Sequence, residues 1–186
     1  MQGAGGASLS SDAEITEASG RRRIGVLAVI ASIVVMIDQA TKIIAVEWLS
    51  DGRVVQVIDG FFQLRLVRNP GAAFGLGVNF TVVLAVIVMV VIAVILRMTR
   101  RLTSLPWAVA LGGMLGGAFG NLIDRLFRQP GPMRGHVVDF FELPNWPVFN
   151  IADAAVVGSA VLIAILSLRG ITHDGSVPES AAGGRE

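Results

Sequence analysis

The chain has 186 residues, of which 53% are hydrophobic and 16% charged, with a formal net charge of +1. Its mean hydropathy is +0.69. This composition is far from that of an ordinary soluble domain, and the near-zero charge carries no nucleic-acid signal. The absence of cysteine excludes disulfides, thiolate nucleophiles and cysteine metal sites, and two histidines are too few for a zinc peptidase of the HExxH type.

Residues 1–20 are rich in Gly, Ser, Ala and acids and show no periodicity, as are 170–186, so both ends are expected to be disordered tails. Between them, residues 21–169 hold apolar runs at 24–46, 80–96, 105–123 and 151–168, each approaching the ~30 Å of a hydrocarbon core at ~1.5 Å per residue. The spacing predicts an all-α membrane protein of four transmembrane helices. Arg21-Arg22-Arg23 abuts the first span without a following small-x-small cleavage site, which reads as a retained anchor rather than a secretory signal. Arg97, Arg100 and Arg101 crowd the link between the second and third spans, so this link and both termini are expected in the cytoplasm. Trp48, Trp107 and Trp146 fall at span ends, as an aromatic belt requires.

Asp38 and Lys42 stand one helical turn apart in the outer part of the first span. They read either as a self-contained ion pair, with Lys42 reaching outward, or as support for a site. In the outer segment 47–79, Val54–Ile58 and Phe62–Leu66 flank Asp59-Gly60 and predict a small extracytoplasmic β-hairpin. Asn69-Pro70-Gly71 then forces a turn ahead of Ala72-Ala73-Phe74-Gly75. In the third span glycine recurs at 112, 116 and 120 and again at 113 and 117, a small-xxx-small face for a neighbouring helix. The second outer segment, 124–150, reads as a loop able to fold over a site, with Asp139 as an anchor of its structure. Arg125, adjacent to Asp124, is expected to point elsewhere, toward the loop or a lipid phosphate.

Asn121-Leu-Ile-Asp124 and Asn150-Ile-Ala-Asp153 repeat one pattern at the facing ends of the third and fourth spans. Antiparallel spans bring both acids to one leaflet. A capping box explains part of Asn150 and Asp153 but not Asp124, which lies where the helix dipole disfavours an anion. Ionisable residues at membrane depth are functional candidates, and two close carboxylates can divide base and acid roles around one shared proton. A proton-coupled transporter is the rival reading, but it needs polar groups through the membrane depth, and the inner halves of the spans are apolar.

Asp38-Gln-Ala-Thr-Lys42, Asn69-Pro-Gly-Ala-Ala-Phe74-Gly75, Gly117-Ala-Phe-Gly120-Asn121-Leu-Ile-Asp124-Arg125, Val137-Val-Asp139-Phe140 and Trp146-Pro-Val-Phe149-Asn150-Ile-Ala-Asp153 occur in this order. Over residues 24–169 the chain resembles the bacterial lipoprotein signal peptidases, or signal peptidase II. The resemblance implies an intramembrane aspartic endopeptidase of the inner or cytoplasmic membrane, needing no cofactor or metal. Its partners would be membrane lipids and diacylglyceryl-modified prolipoproteins, cut before the lipidated cysteine, and it would act as a monomer. Carried over by motif, the catalytic pair falls on Asp124 and Asp153, with Asp38, Lys42, Asn69, Gly71, Phe74, Asn121, Arg125, Asp139 and Asn150 supporting the site or binding substrate.

Overall fold

The computed structural model describes residues 5–71 and 79–174, with side chains from 22–71 and 81–174. Phe74 and the rest of its Ala-Ala-Phe-Gly run lie outside the described residues. Four helices, α1 (Gly5–Leu49), α2 (Asn79–Met98), α3 (Leu105–Phe127) and α4 (Ile151–Leu168), accompany three strands, β1 (Val54–Ile58), β2 (Phe62–Asn69) and β3 (Val137–Glu142). The spans long and apolar enough to cross a membrane are Arg22–Leu49, Thr81–Arg101, Leu105–Phe127 and Ile151–Leu168. The first helix starts well before its span. Its Ala-, Glu- and Ser-containing lead, read from sequence as a disordered tail, continues the helix without a proline to stop it.

The least hydropathic span, α3, is the central one: 61% of its window is buried, against 17–22% for the other three. Lipid is as apolar as leucine, so close backbone packing rather than apolar burial decides which helix goes inside. Sequence suggested one glycine face on α3, and the structure has two. A Cβ on Gly112 would meet Leu27 O at 2.8 Å, and one on Gly116 would meet Val34 Cβ at 2.7 Å and Ala31 O at 2.8 Å, all on α1. Gly113 lies against Ser159, and Gly117 against Ala152 O and Val156, all on α4. A one-residue offset turns a helix by ~100°, so the two glycine series admit two different neighbours.

The strands form an antiparallel sheet in the order β1-β2-β3. The β1–β2 hairpin turns at Asp59-Gly60 as expected, with Gly60 at φ +65°. The third strand corrects the reading of 124–150 as a loop. Val137–Glu142 pairs with β2, Asn69 opposite Val137 and Val67 opposite Asp139. Its two valines and two phenylalanines suit a pleated, half-buried surface. Val138 and Phe140 pack on Ala45 and Leu49, which seats the sheet on the outer end of α1.

At the opposite end, residues 170–174 are ordered, contrary to the expectation of a tail. Thr103 N–H and Ser104 N–H donate to His173 O, and Trp107 Nε1 donates to Ile171 O at 2.8 Å. Trp107 is thus buried and hydrogen-bonded rather than part of a lipid-facing belt, unlike the exposed Trp48 and Trp146. An indole N–H accounts for this, because once buried it needs an acceptor.

Replacing Gly116 with Leu forces α1 and α3 apart below the site, an overpacking cost of about 1–3 kcal/mol. The variant is expected to show a lower thermal midpoint in detergent and reduced activity, although no polar group is removed. Native values of both would mean that this face meets no helix.

Candidate active site

Every sequence-predicted polar site residue within the described part converges where the outer ends of α1, α3 and α4 meet the sheet. Asp38 and Lys42 lie one turn apart on α1, both fully buried. Lys42 Nζ does not reach outward. It is 2.9 Å from Asp38 Oδ2, 3.0 Å from Asp124 Oδ2 and 3.0 Å from Asn121 Oδ1. A buried ammonium is tolerated only when its donors and its charge are matched, and these acceptors do both. Asp38 Oδ1 in turn accepts from Ala152 N–H at 2.9 Å, tying α1 to the first turn of α4. Gln39 Nε2 donates to Asp38 Oδ2 and Gly120 O, a role the sequence reading missed.

Asn121 links the two halves of the site. Its Oδ1 takes Lys42, so its Nδ2 must face the other way, where it donates to Asp153 Oδ1 at 2.8 Å. Asp153 also belongs to the expected capping box: Asn150 Oδ1 accepts from Asp153 N–H at 2.9 Å, and Asp153 Oδ2 accepts from Asn150 N–H at 3.2 Å. The side chain of Asn150 extends the chain of contacts. Its Nδ2 donates to Asp139 Oδ1 at 2.6 Å and to Asn121 Oδ1 at 3.2 Å.

Asp139 is therefore part of the cluster rather than a remote loop anchor. On β3 it lies beside Asn69 of β2, whose Nδ2 donates to Asp139 Oδ2 at 2.9 Å, while Asn69 Oδ1 accepts from Gly71 N–H at 2.8 Å. Gly71 sits at φ +85° with Leu84 of α2 where a Cβ would be, so only glycine passes there. Burial pushes the Asp139 carboxyl up to about 6; the negative charge of Asp153 adds to that rise, and the bonds from Asn69 and Asn150 partly offset it.

Asp124 has a different environment. It is fully buried, Lys42 and Val138 N–H each lie 3.0 Å from Oδ2, and Arg128 Nε lies 2.6 Å from Oδ1. Arg125, expected to point away, turns inward and is buried, with Nη1 directed at Asn121 O and its charge acting on Asp153, Asp139 and Asp124. Its Nε has no hydrogen-bond partner. Among the described residues no group of His, Cys, Asp and Glu could hold a metal ion. An apolar cleft of about 290 Å³, lined by Val88, Val91, Met114 and Val156, reaches this cluster at Asn121 and Asp153.

The family model for signal peptidase (SPase) II matches residues 30–169. A lipoprotein signal peptidase of Mycolicibacterium smegmatis is 48% identical over 163 residues, covering 88% of this chain and 69% of that relative. One from Mycobacterium avium is 49% identical over 153 residues, covering 82% and 84%. A solved structure of a bacterial membrane enzyme aligns with a TM-score of 0.70 at 30% identity, over 78% of this chain and 94% of the other. A second aligns at 0.69 and 28% identity, over 87% and 94%. These matches remove the transporter reading. With the motifs in order, the four spans and the buried carboxylate cluster, the chain belongs to the signal peptidase II family, the proteases that cleave lipoprotein signal peptides.

Proposed function

We propose that Asp139 and Asp153 form the catalytic pair, and that Asp124, assigned to the pair from the sequence motif, is instead a positioning residue. The observation that carries this reading is the contrast between the acids. Both oxygens of Asp124 are taken by cations and a backbone N–H at full burial. A carboxylate with both oxygens so engaged and no exposed surface offers no place for a water. Asp139 holds its proton to about pH 6 and feels the charge of Asp153, as expected of two acids dividing one proton. Asp153 is half-exposed and borders the apolar cleft, so a water can reach it.

In this mechanism Asp153 takes a proton from that water, whose oxygen attacks the scissile carbonyl carbon. Protonated Asp139 donates to the carbonyl oxygen as it gains charge. Collapse of the tetrahedral intermediate breaks the C–N bond, and the proton held by Asp153 passes to the leaving amine. Asn121 and Asn150 hold the two carboxylates in place. Arg125 supplies a nearby positive charge.

The substrates are prolipoproteins carrying diacylglycerol, with the apolar signal segment along the cleft between α2, α3 and α4. The enzyme is proposed to act as a monomer. Arg23 Nε donates to Thr103 O at 3.1 Å, so the start of the first span and the arginine-rich α2–α3 link lie on one side, opposite the sheet. By the arginine bias this side is cytoplasmic, so the site opens toward the extracytoplasmic leaflet of the cell membrane.

Asp139→Asn and Asp153→Asn should each lower turnover of a diacylglyceryl-modified precursor by about 10²–10⁴-fold while keeping the thermal midpoint, since a neutral isostere suits their surroundings. Asp124→Asn leaves Arg128 without its carboxylate and Lys42 with Asp38 alone, a broken buried pair costing about 3–5 kcal/mol, so a lower thermal midpoint is expected to accompany its loss of activity. Near-normal turnover of Asp139→Asn or of Asp153→Asn would sink the assignment. The pH profile gives a second check. If Asp139 works protonated, kcat/KM falls as pH rises through about 6. Asn69→Ala removes a bond to the ionised form and should move that limb to higher pH; a downward move contradicts the role. For topology, a cysteine at Asp59 should react with an impermeant thiol reagent added to intact cells and one at Thr103 should not, the reverse pattern inverting the orientation.

A further inference from the structure

After α3 ends at Phe127 the chain must cross to the sheet before Asp139 can be delivered. Residues 128–136 make this crossing and fold back on the helix they leave: Gly135 N–H donates to Arg125 O at 3.0 Å and His136 N–H to Gln129 O at 3.0 Å. A Cβ on Gly135 would meet Arg128 O at 2.9 Å and Arg125 O at 3.0 Å, as well as Asp124 O, so the crossing lies directly on the carbonyls that end α3.

One carboxylate grips both ends of this crossing. At its start Arg128 binds Asp124 twice, by Nε to Oδ1 at 2.6 Å and by its backbone N–H to the Asp124 carbonyl at 3.0 Å. At its end Val138 N–H donates to Asp124 Oδ2 at 3.0 Å, and the next residue is Asp139. We propose that Arg128 is a positioning residue for cleavage, the second cation on Asp124, which keeps the 128–138 crossing closed so that Asp139 faces Asp153. This rests on the assignment of the Asp139–Asp153 pair above.

Charge balance supports the role independently of the loop geometry. Asp38, Lys42 and Asp124 sum to −1 at full burial, and Arg128 brings the chain of contacts to neutrality. Without it, Asp124 Oδ1 keeps only Gln39 Nε2 at 3.4 Å. The charged groups acting on Asp139 are Asp153 on α4, Lys42 on α1 and Arg125 on α3, and Asp124, which holds the adjacent Val138 N–H, is then no longer matched on one oxygen. Added negative charge favours the protonated acid. Arg128 is about one-quarter exposed, so its side chain can be changed without opening the core.

The test is steady-state cleavage of a diacylglyceryl-modified precursor by the purified full chain in detergent, as a function of pH. Arg128→Met should lower kcat about tenfold, leave KM within about twofold, and move the alkaline limb of kcat/KM to higher pH. Arg128→Lys, which keeps the charge but not the Nε geometry, should return the limb toward its original position and recover part of kcat. Arg134→Met, on the same crossing and exposed, should change neither. If Arg128→Met does not fold, Arg128→Lys alone must still show the intermediate kcat. Wild-type kcat and pH profile in Arg128→Met, or equal effects of Arg128→Met and Arg134→Met, overturn the proposal. Asp139→Asn in the same assay separates the two readings: its normal turnover overturns the catalytic pair, whereas an inactive Asp139→Asn beside an unaffected Arg128→Met overturns only the role of Arg128.

Discussion

A buried carboxylate shared by an ammonium, a guanidinium and a backbone amide is the contact on which the rest of the site depends. Asp124 joins α1 through Lys42, the chain after α3 through Arg128, and β3 through Val138. An unmatched charge in this position is costly, so the arrangement tolerates little drift: displacing any one partner leaves the others uncompensated. This is how a site between three helices and a sheet attains fixed geometry where no apolar driving force brings helices together.

Fixed geometry passes from this contact to Asp139 and Asp153, the proposed catalytic pair, through amides. The ammonium of Lys42 sets which end of Asn121 faces Asp153, and the helix cap sets which end of Asn150 faces Asp139. Each asparagine has a donor and an acceptor end and cannot exchange them without losing both bonds. The two carboxylates are thus oriented by neutral groups. The charged residues do their work one step further out.

Much of this was legible in the chain. Span positions followed from apolar length, the β1–β2 hairpin from Asp59-Gly60, and the capping box from Asn150-x-x-Asp153, because each depends on local spacing. The division of roles proposed here for the acids was not. Repetition of Asn-x-x-Asp made Asp124 look equivalent to Asp153, yet equivalence of pattern says nothing about which cations arrive from elsewhere, and Lys42 is 82 positions away. The place of Asp139 in the cluster was hidden for the same reason, since the run Val137-Val138-Asp139-Phe140-Phe141 does not alternate and becomes a strand only with β2 beside it. The paired glycine series and the burial of Trp107 likewise depend on tertiary partners, and no periodicity within α3 could separate a lipid-facing edge from one covered by residues 171–173.

That cover at Trp107 bears on the order of assembly. The backbone amides of Thr103 and Ser104, just before α3, and the Trp107 indole on it are met by residues that leave the ribosome after α4, and Asp153 itself lies on α4. Neither end of the central helix is complete until the last span has been inserted. The earlier spans, although apolar enough to enter the bilayer one by one, form no working constellation before then. A nascent chain stalled before residue 151 would be a membrane protein without being a protease.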